Sequence, residues 1–254
     1  MSAYEDAYGA DRSIFGKARR RLTRLVARRP AMRSPDRPML SIAFDDAPST
    51  ATQEGARILD AYGVKGTFYA AAGLCGRPEP MGVCASPEDY QRLHEAGHEI
   101  GCHTYSHLDC GQSSGALARG DVAKNASSFE LWGLPQAKSF AYPYGDVAPW
   151  TKSALAPHFT SLRALHPGLI QSGSDLNQAP ALGIEGDQGE EKARHWLNLA
   201  RTQTAWLILY THDVQQSPSP WGCTPTALDK LMREAIESGF DLVTVGAGAD
   251  RLSH

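Results

Sequence analysis

The sequence predicts an α/β domain built around a parallel sheet or barrel, and three observations carry that prediction. Short apolar runs alternate with capped, amphipathic stretches along most of the chain, the pattern of successive βαβ units. The strongest runs, Met39 to Phe44 and Ala205 to Tyr210, are almost continuously apolar, as parallel strands covered on both faces are. Asp45-Asp46, His103 and His107, Tyr142-Pro143-Tyr144, Arg163 and His212 all follow such runs directly, and the C-terminal ends of strands are where α/β barrels build active sites.

In chain order, Ser13 to Arg29 reads as a helix. Phe15, Ala18, Leu22, Leu25 and Val26 form an apolar stripe among Lys17 and six arginines. Such a helix suits an anionic membrane surface or a partner, and equally a helix packed on its own domain with a solvated basic face. Pro30 to Pro38 reads as a linker. After the strand Met39–Phe44, Ser49 or Thr50 is placed to cap a helix running to Tyr62 and closed at Gly63. Thr67, Phe68 and Tyr69 favour a strand over Gly66 to Ala72, and Gly73 to Ala85 is a loop. Ser86-Pro87-Glu88 opens a helix with Pro at its first position, and Gly97 stops it. Glu99 to His107 reads as a short buried strand that ends in two histidines. Further helices are expected over residues 113–131, 149–156, 190–204 and 225–238, with strands over 139–142, 160–164, 205–210 and 241–245. Residues 166–187, rich in Gly, Pro, Ser and Asn, read as irregular.

At 254 residues, 42% hydrophobic and 21% charged, the chain can bury a full core. Between Arg12 and Arg37 ten Lys or Arg face one acid, a window of +9 in a chain of net charge -3. The acidic remainder argues against a nucleic-acid surface as the main function. The five cysteines include no CxxC pair. Cys75 and Cys84 bracket a Gly/Pro-rich loop suited to a bridge in an oxidising compartment, but no signal peptide is evident, so the expectation is a reduced, cytoplasmic protein. No apolar run approaches the ~18 residues of a membrane span.

His103 and His107 lie four residues apart, a spacing that brings two imidazoles together on one helical turn. Two ligands do not hold a catalytic zinc, which takes three protein ligands and an open position. The adjacent carboxylates Asp45 and Asp46, leaving a buried strand in different directions, offer the third ligand and a free base, although a turn pair capping the next helix would look the same in isolation.

Phe44-Asp45-Asp46-Ala47-Pro48, His103-Thr104-Tyr105-Ser106-His107, Tyr142-Pro143-Tyr144-Gly145 and Thr211-His212-Asp213 stand in the order and rough spacing of the NodB-type polysaccharide deacetylases, carbohydrate esterase family 4, which the chain resembles from about Met39 to Val245. The resemblance implies a distorted (β/α) barrel that removes N-acetyl groups from N-acetylhexosamine polymers with a divalent metal ion, zinc foremost. It implies Asp46, His103 and His107 as metal ligands, Asp45 as base and His212 as acid. It also implies the Tyr144 backbone N–H beside the oxyanion, with Pro143, Tyr144 and Trp221 lining the substrate groove. The chain departs from the family at Ala47, where Gly is usual, and at Ala141, where many members carry an Arg that pairs with the catalytic Asp. Arg163 on the next strand is the candidate replacement, although a surface Arg would read the same way. The family's Asp/Trp motif has no clean match; Asp175 is the candidate. The remaining histidines, and Cys102 and Cys110, read as packing or surface, with a soft-metal role for Cys102 left open.

These readings divide the chain into a basic helix and linker, 1–38, and a catalytic domain, 39–254. They point to an exopolysaccharide or its lipid-linked oligosaccharide precursor as substrate, at the inner face of the membrane, with peripheral contact through the N-terminal helix. The alternatives are a non-catalytic polysaccharide-binding barrel and a related hydrolase of a small amide.

Overall fold

A computed structural model describes residues 14–254. The acidic stretch Met1 to Asp11, and the side chains of Phe15 and Lys17 in the expected apolar and basic faces, lie outside the described residues. The elements run α1 (Ile14–Thr23), β1 (Met39–Phe44), α2 (Ala56–Ala61), β2 (Thr67–Ala70), β3 (Pro78–Glu79), β4 (Gly82–Val83), α3 (Pro87–Glu95), β5 (Glu99–Cys102), α4 (Gly115–Leu131), β6 (Ser139–Ala141), α5 (Pro149–Leu155), β7 (Ser161–Arg163), β8 (Leu182–Gly183), α6 (Gly189–Gln203), β9 (Trp206–Thr211), α7 (Pro225–Glu237), β10 (Asp241–Leu242) and α8 (Val245–Leu252).

The main sheet is parallel, in the order β7-β6-β5-β2-β1-β9-β8, with β10 pairing the start of β1. Its two ends meet through one short segment. Ala179 exchanges backbone hydrogen bonds with β7 (Ala179 N to Leu162 O and Ala164 N to Ala179 O, both 2.9 Å). Three residues later Leu182 and Gly183 pair with Leu209 and Tyr210 of β9. The result is the distorted (β/α) barrel expected from the sequence, closed by a stretch of the region that reads as irregular.

Alternation along the strands divides the core, because successive side chains point to opposite faces. Leu40, Ile42 and Phe44 of β1 and Leu207 and Leu209 of β9 face the outer helices. There the Phe44 and Phe68 rings stack at 4.6 Å. Met39 and Ala43, with Trp206, Ile208 and Tyr210, face inward together with Tyr69 and Ala141. The interior is kept narrow: a Cβ on Gly101 would sit 2.5 Å from the Tyr69 ring. One barrel end is closed by α8. The Glu99 carboxylate there accepts from Thr67 Oγ1 (2.9 Å), Ser139 Oγ (2.7 Å) and the Gly246 N–H (2.8 Å) at the start of that helix.

Several expectations are corrected. The N-terminal helix ends at Thr23, not Arg29. The Thr23 carbonyl is taken by the buried Lys152 ammonium at 2.8 Å, and Ala27 turns the chain with φ 44°. The residues read as a linker are strapped to the barrel. Ala31 N donates to Ser174 O and Met32 N to Leu252 O, while the Arg29 guanidinium binds the carbonyls of Ala156 and Phe159. The helix after β1 begins with a π-helical turn, Ala51–Gly55, and Thr50 makes no side-chain cap. The final strand is two residues long, and α8, unexpected from the sequence, follows it. No helix among the described residues is long and apolar enough to cross a membrane.

Candidate metal and catalytic site

The site forms at the C-terminal ends of β1, β5, β6, β7 and β9. Asp45 N is still bonded to Thr211 O at 3.0 Å, so the first carboxylate is fixed by the sheet. Asp46 and Ala47 then adopt φ values of 54° and 29°. This left-handed step, costly for residues with a Cβ, sends the two carboxylates apart. It also gives a physical sense to the usual glycine at position 47.

His103 is buried at the end of β5, its backbone N–H bonded to Ala70 O at 3.0 Å. Its Nδ1 lies 2.8 Å from the Ala141 carbonyl. A proton on Nδ1 satisfies that contact and leaves the Nε2 lone pair facing the site, the arrangement that orients metal-binding histidines. Burial, with His107 adding to it and Asp46 opposing, lowers the His103 imidazole to about 4, so it is neutral near pH 7 as a ligand must be.

The helical turn expected to join His103 to His107 is absent. The segment is a loop in which Thr104 and His107 hold φ values of 61° and 56°. Asp121 of α4 fixes it by accepting from Tyr105 N (2.7 Å), Ser106 N (2.9 Å) and Ser106 Oγ (2.9 Å). The two imidazoles still meet, with ring centroids 4.9 Å apart.

Asp46, His103 and His107 each present a ligand atom within 4.8 Å of the others. The Asp46 oxygens stand 3.7 Å from His103 Nε2 and 3.5 Å from His107 Nε2, beyond hydrogen-bonding range. Asp46 Oδ1 is buried with no hydrogen-bond partner among the described residues. Three converging donors around an unsatisfied buried carboxylate oxygen fit a divalent cation.

Asp45 points the other way. Both its oxygens lie within 2.6 Å of Arg163 Nη2, and Arg163 is fully buried. The guanidinium carbon stands 5.0 Å from the centres of the Tyr69 and Tyr210 rings. Burial alone would raise the Asp45 carboxyl, but Arg163, His103 and His212 outweigh it and hold it below its ordinary value. Arg163 and Ala141 are directly paired across β6 and β7, so the arginine enters the interior from the position next to the alanine.

His212 follows β9, with Nδ1 3.2 Å from the Trp221 carbonyl. Trp221 is half-buried and holds the His212 backbone N–H as well. Tyr144, next to Pro143, is 45% exposed at φ 58°, and its ring packs edge-on to His107 at 4.6 Å.

Asp175 does not join the site. It binds Lys152 Nζ at 2.6 Å and the Arg29 backbone N–H at 2.9 Å on the strapped N-terminal segment. Cys102 lies outside the ligand cluster against Asn125, its thiol pushed up to about 12 by burial. His98 is a core histidine, accepting from Gly66 N at 3.0 Å.

One acid at the site has no sequence signal. Glu185, just beyond β8, accepts from Tyr210 OH at 3.1 Å, and its Oε2 is buried without a partner among the described residues. It folds over Gly183, where a Cβ would lie 2.7 Å from the carboxylate carbon. Burial raises its carboxyl above the ordinary value, Asp45 adds to this, and His212, Tyr210 and Arg163 oppose it.

Comparison with known proteins agrees with this arrangement. The polysaccharide deacetylase family model matches residues 32–157. A peptidoglycan-N-acetylglucosamine deacetylase of Bacillus cereus is 30% identical over 210 residues, 82% of this chain and 86% of that protein. A bifunctional xylanase/deacetylase of Pseudobutyrivibrio xylanivorans is 28% identical over 43% of this chain, and chitin deacetylase 2 of Saccharomyces cerevisiae 29% identical over 42%. The matches span 17% and 31% of the lengths of those two proteins.

Among solved structures, a family 4 acetyl xylan esterase from Clostridium thermocellum, in complex with a cobalt ion, superposes with TM-score 0.59 at 22% identity, covering 84% of this chain and 91% of that one. The chitin deacetylase of Colletotrichum lindemuthianum gives TM-score 0.58 at 19% identity, covering 87% and 91%. At these identities the structures show a shared fold, and the Bacillus cereus relative carries the kinship: the chain belongs to the polysaccharide deacetylase family.

Proposed function

We propose that this chain is a metal-dependent hydrolase that removes acetyl groups from N-acetylglucosamine units of a polysaccharide. The observation that carries the reading is the convergence of Asp46, His103 and His107 beside a separate, arginine-held carboxylate, Asp45. A binding protein needs the groove but has no use for a buried base next to a cation site.

Asp46, His103 and His107 would hold the ion. When bound, a divalent cation would polarise the acetamide carbonyl and lower the pKa of water from about 16 toward about 7. Asp45 takes the proton from the attacking water; Arg163 keeps it ionised and fixes its direction. The Tyr144 N–H donates to the oxygen that gains charge as the carbonyl carbon becomes tetrahedral. The C–N bond then breaks, and the amine leaves only if its nitrogen is protonated. His212, held through Nδ1 by the Trp221 carbonyl, supplies that proton from Nε2. The products are acetate and a free amino sugar. The half-exposed Tyr144 ring would form one wall of the substrate groove and the half-buried Trp221 another, while Pro143 is buried within the Tyr144 turn.

For the finer identity we propose zinc as the metal, and an exopolysaccharide or its lipid-linked precursor as substrate, handled at the inner face of the membrane. Names of relatives support the sugar: peptidoglycan-N-acetylglucosamine and chitin deacetylases are among them. Ala141 and the unmatched Asp/Trp motif would favour a non-catalytic barrel; against the first of these stands the Arg163–Asp45 pair.

The deciding experiment is acetate release from N-acetylglucosamine oligomers by metal-stripped protein with defined metals added back. Asp46→Ala is expected to lose bound metal. Asp45→Asn should retain metal while turnover falls on the order of 10²–10⁴-fold. Full acetate release by stripped Asp46→Ala would refute the assignment.

A further inference from the structure

The family match begins at residue 32, yet α1 reaches the site from before that point. Arg19 Nη1 donates to the Gly111 carbonyl at 2.7 Å, and Nη2 to Asp146 Oδ2 at 2.9 Å. Gly111 belongs to the loop that follows His107, and Asp146 ends the turn that carries Tyr144. One guanidinium therefore ties together the two loops whose aromatic side chains, His107 and Tyr144, pack edge-on at 4.6 Å.

The fit is close. A Cβ on Gly111 would lie 2.3 Å from Asp146 Oδ2, so the carboxylate lies directly over that loop. Thr23, one helical turn after Arg19, donates to Val147 O at 3.2 Å. Tyr144 and Gly145 both hold left-handed backbone, at φ 58° and 68°. A non-glycine residue keeps such a conformation only where its surroundings over-determine it. The Arg19–Asp146 pair, with side chains 19% and 9% exposed, is a charge-assisted contact at the end of this turn, beside the Val147 N–H that donates to the other Asp146 oxygen at 2.9 Å.

We propose that Arg19 is a positioning residue, and that α1 is a working part of the site: its guanidinium clamps the Tyr144 turn against the His107 loop. The kinetic consequence rests on the deacetylase reading; the clamp itself does not. Loosening the turn displaces the Tyr144 N–H from the developing oxyanion, a loss felt in the transition state more than in substrate binding.

The test uses the zinc-loaded 254-residue chain, with steady-state acetate release from N-acetylglucosamine oligomers and hydrogen exchange across residues 143–147. In Arg19→Met, kcat is expected to fall about tenfold or more, with KM within about twofold, bound zinc unchanged and exchange across 143–147 accelerated. Arg19→Lys, which keeps the charge on Asp146, should recover part of kcat. Arg29→Met is the control, since Arg29 anchors the same N-terminal segment on Ala156 and Phe159 instead; its kcat and its exchange at 143–147 should match wild type. Unchanged exchange at 143–147 in Arg19→Met would overturn the proposal, as would an equal kcat loss in Arg29→Met. If wild-type protein releases no acetate, the deacetylase reading fails while exchange still decides the clamp.

Discussion

Ala141 and Arg163 are register partners on adjacent parallel strands, so side chains at the two positions project to the same side of the sheet. An arginine from either can reach Asp45, and the alanine leaves the space the other needs. The sequence narrows the choice to Arg163 but cannot separate it from a surface arginine, because register between strands is a three-dimensional fact. Arg163→Ala should cost about 3–5 kcal/mol by stranding a buried carboxylate, read as a fall in the urea midpoint, and should abolish turnover. Adding Ala141→Arg should restore both in part; a double variant no better than the single one would mean that the two positions are not equivalent. Glu185 shows the opposite limit, for an acid within an irregular stretch gives no pattern to read. Burial raises its carboxyl, so as pH climbs past the ordinary Glu value the unfolded chain loses this proton before the folded one does. Stability falls through that window and stays lower above it. Glu185→Gln escapes this, so it should melt higher than wild type at pH 7, with the difference vanishing below about pH 4. An equal gap at both pH values would show that the charge is not the cause.

Elements were legible in proportion to how locally they are determined. β1 and β9 are buried on both faces and announce themselves as apolar runs, and α3 declares its start through Ser86 and Pro87, with Ser86 and Asp89 forming a capping box around the proline. The strand that closes the barrel is hidden because residues 179–184 owe their extended form to hydrogen bonds with β7 and β9 rather than to their own composition. On spacing alone, the segment from His103 to His107 suggests a helical turn. It is instead a left-handed turn made by tertiary contact with Asp121, a residue 14 positions beyond His107. Asp175 misled in a related way, an acid in the expected region of the chain but committed to Lys152. If Asp121 orients His107, Asp121→Ala should weaken zinc binding about 10–100-fold, measured by competition with a chelator, while α4 itself persists in circular dichroism. Unaltered zinc affinity would leave the loop self-supporting.

Across the whole molecule, charge is as unevenly distributed as the sequence indicates, but the basic segment is no detached arm. It packs on α5 and is strapped along the barrel through Arg19, Arg29 and Ala31. Leu22, Leu25 and Met32 of this segment are nevertheless 51%, 69% and 66% exposed, and Arg21, Arg24 and Arg33 are exposed as well. Apolar side chains set among cations on an otherwise acidic protein complement an anionic lipid surface, where each arginine contributes about 1 kcal/mol until salt screens it. We therefore expect the protein to sediment with phosphatidylglycerol-rich vesicles at low salt, and much less with phosphatidylcholine vesicles or at high salt. Leu22→Ser with Leu25→Ser should reduce that binding and leave acetate release from soluble oligomers intact, because neither side chain faces the Arg19 clamp's partners. Sedimentation indifferent to lipid charge, to salt and to the double substitution would remove the membrane from the account and leave this face as ordinary solvated surface.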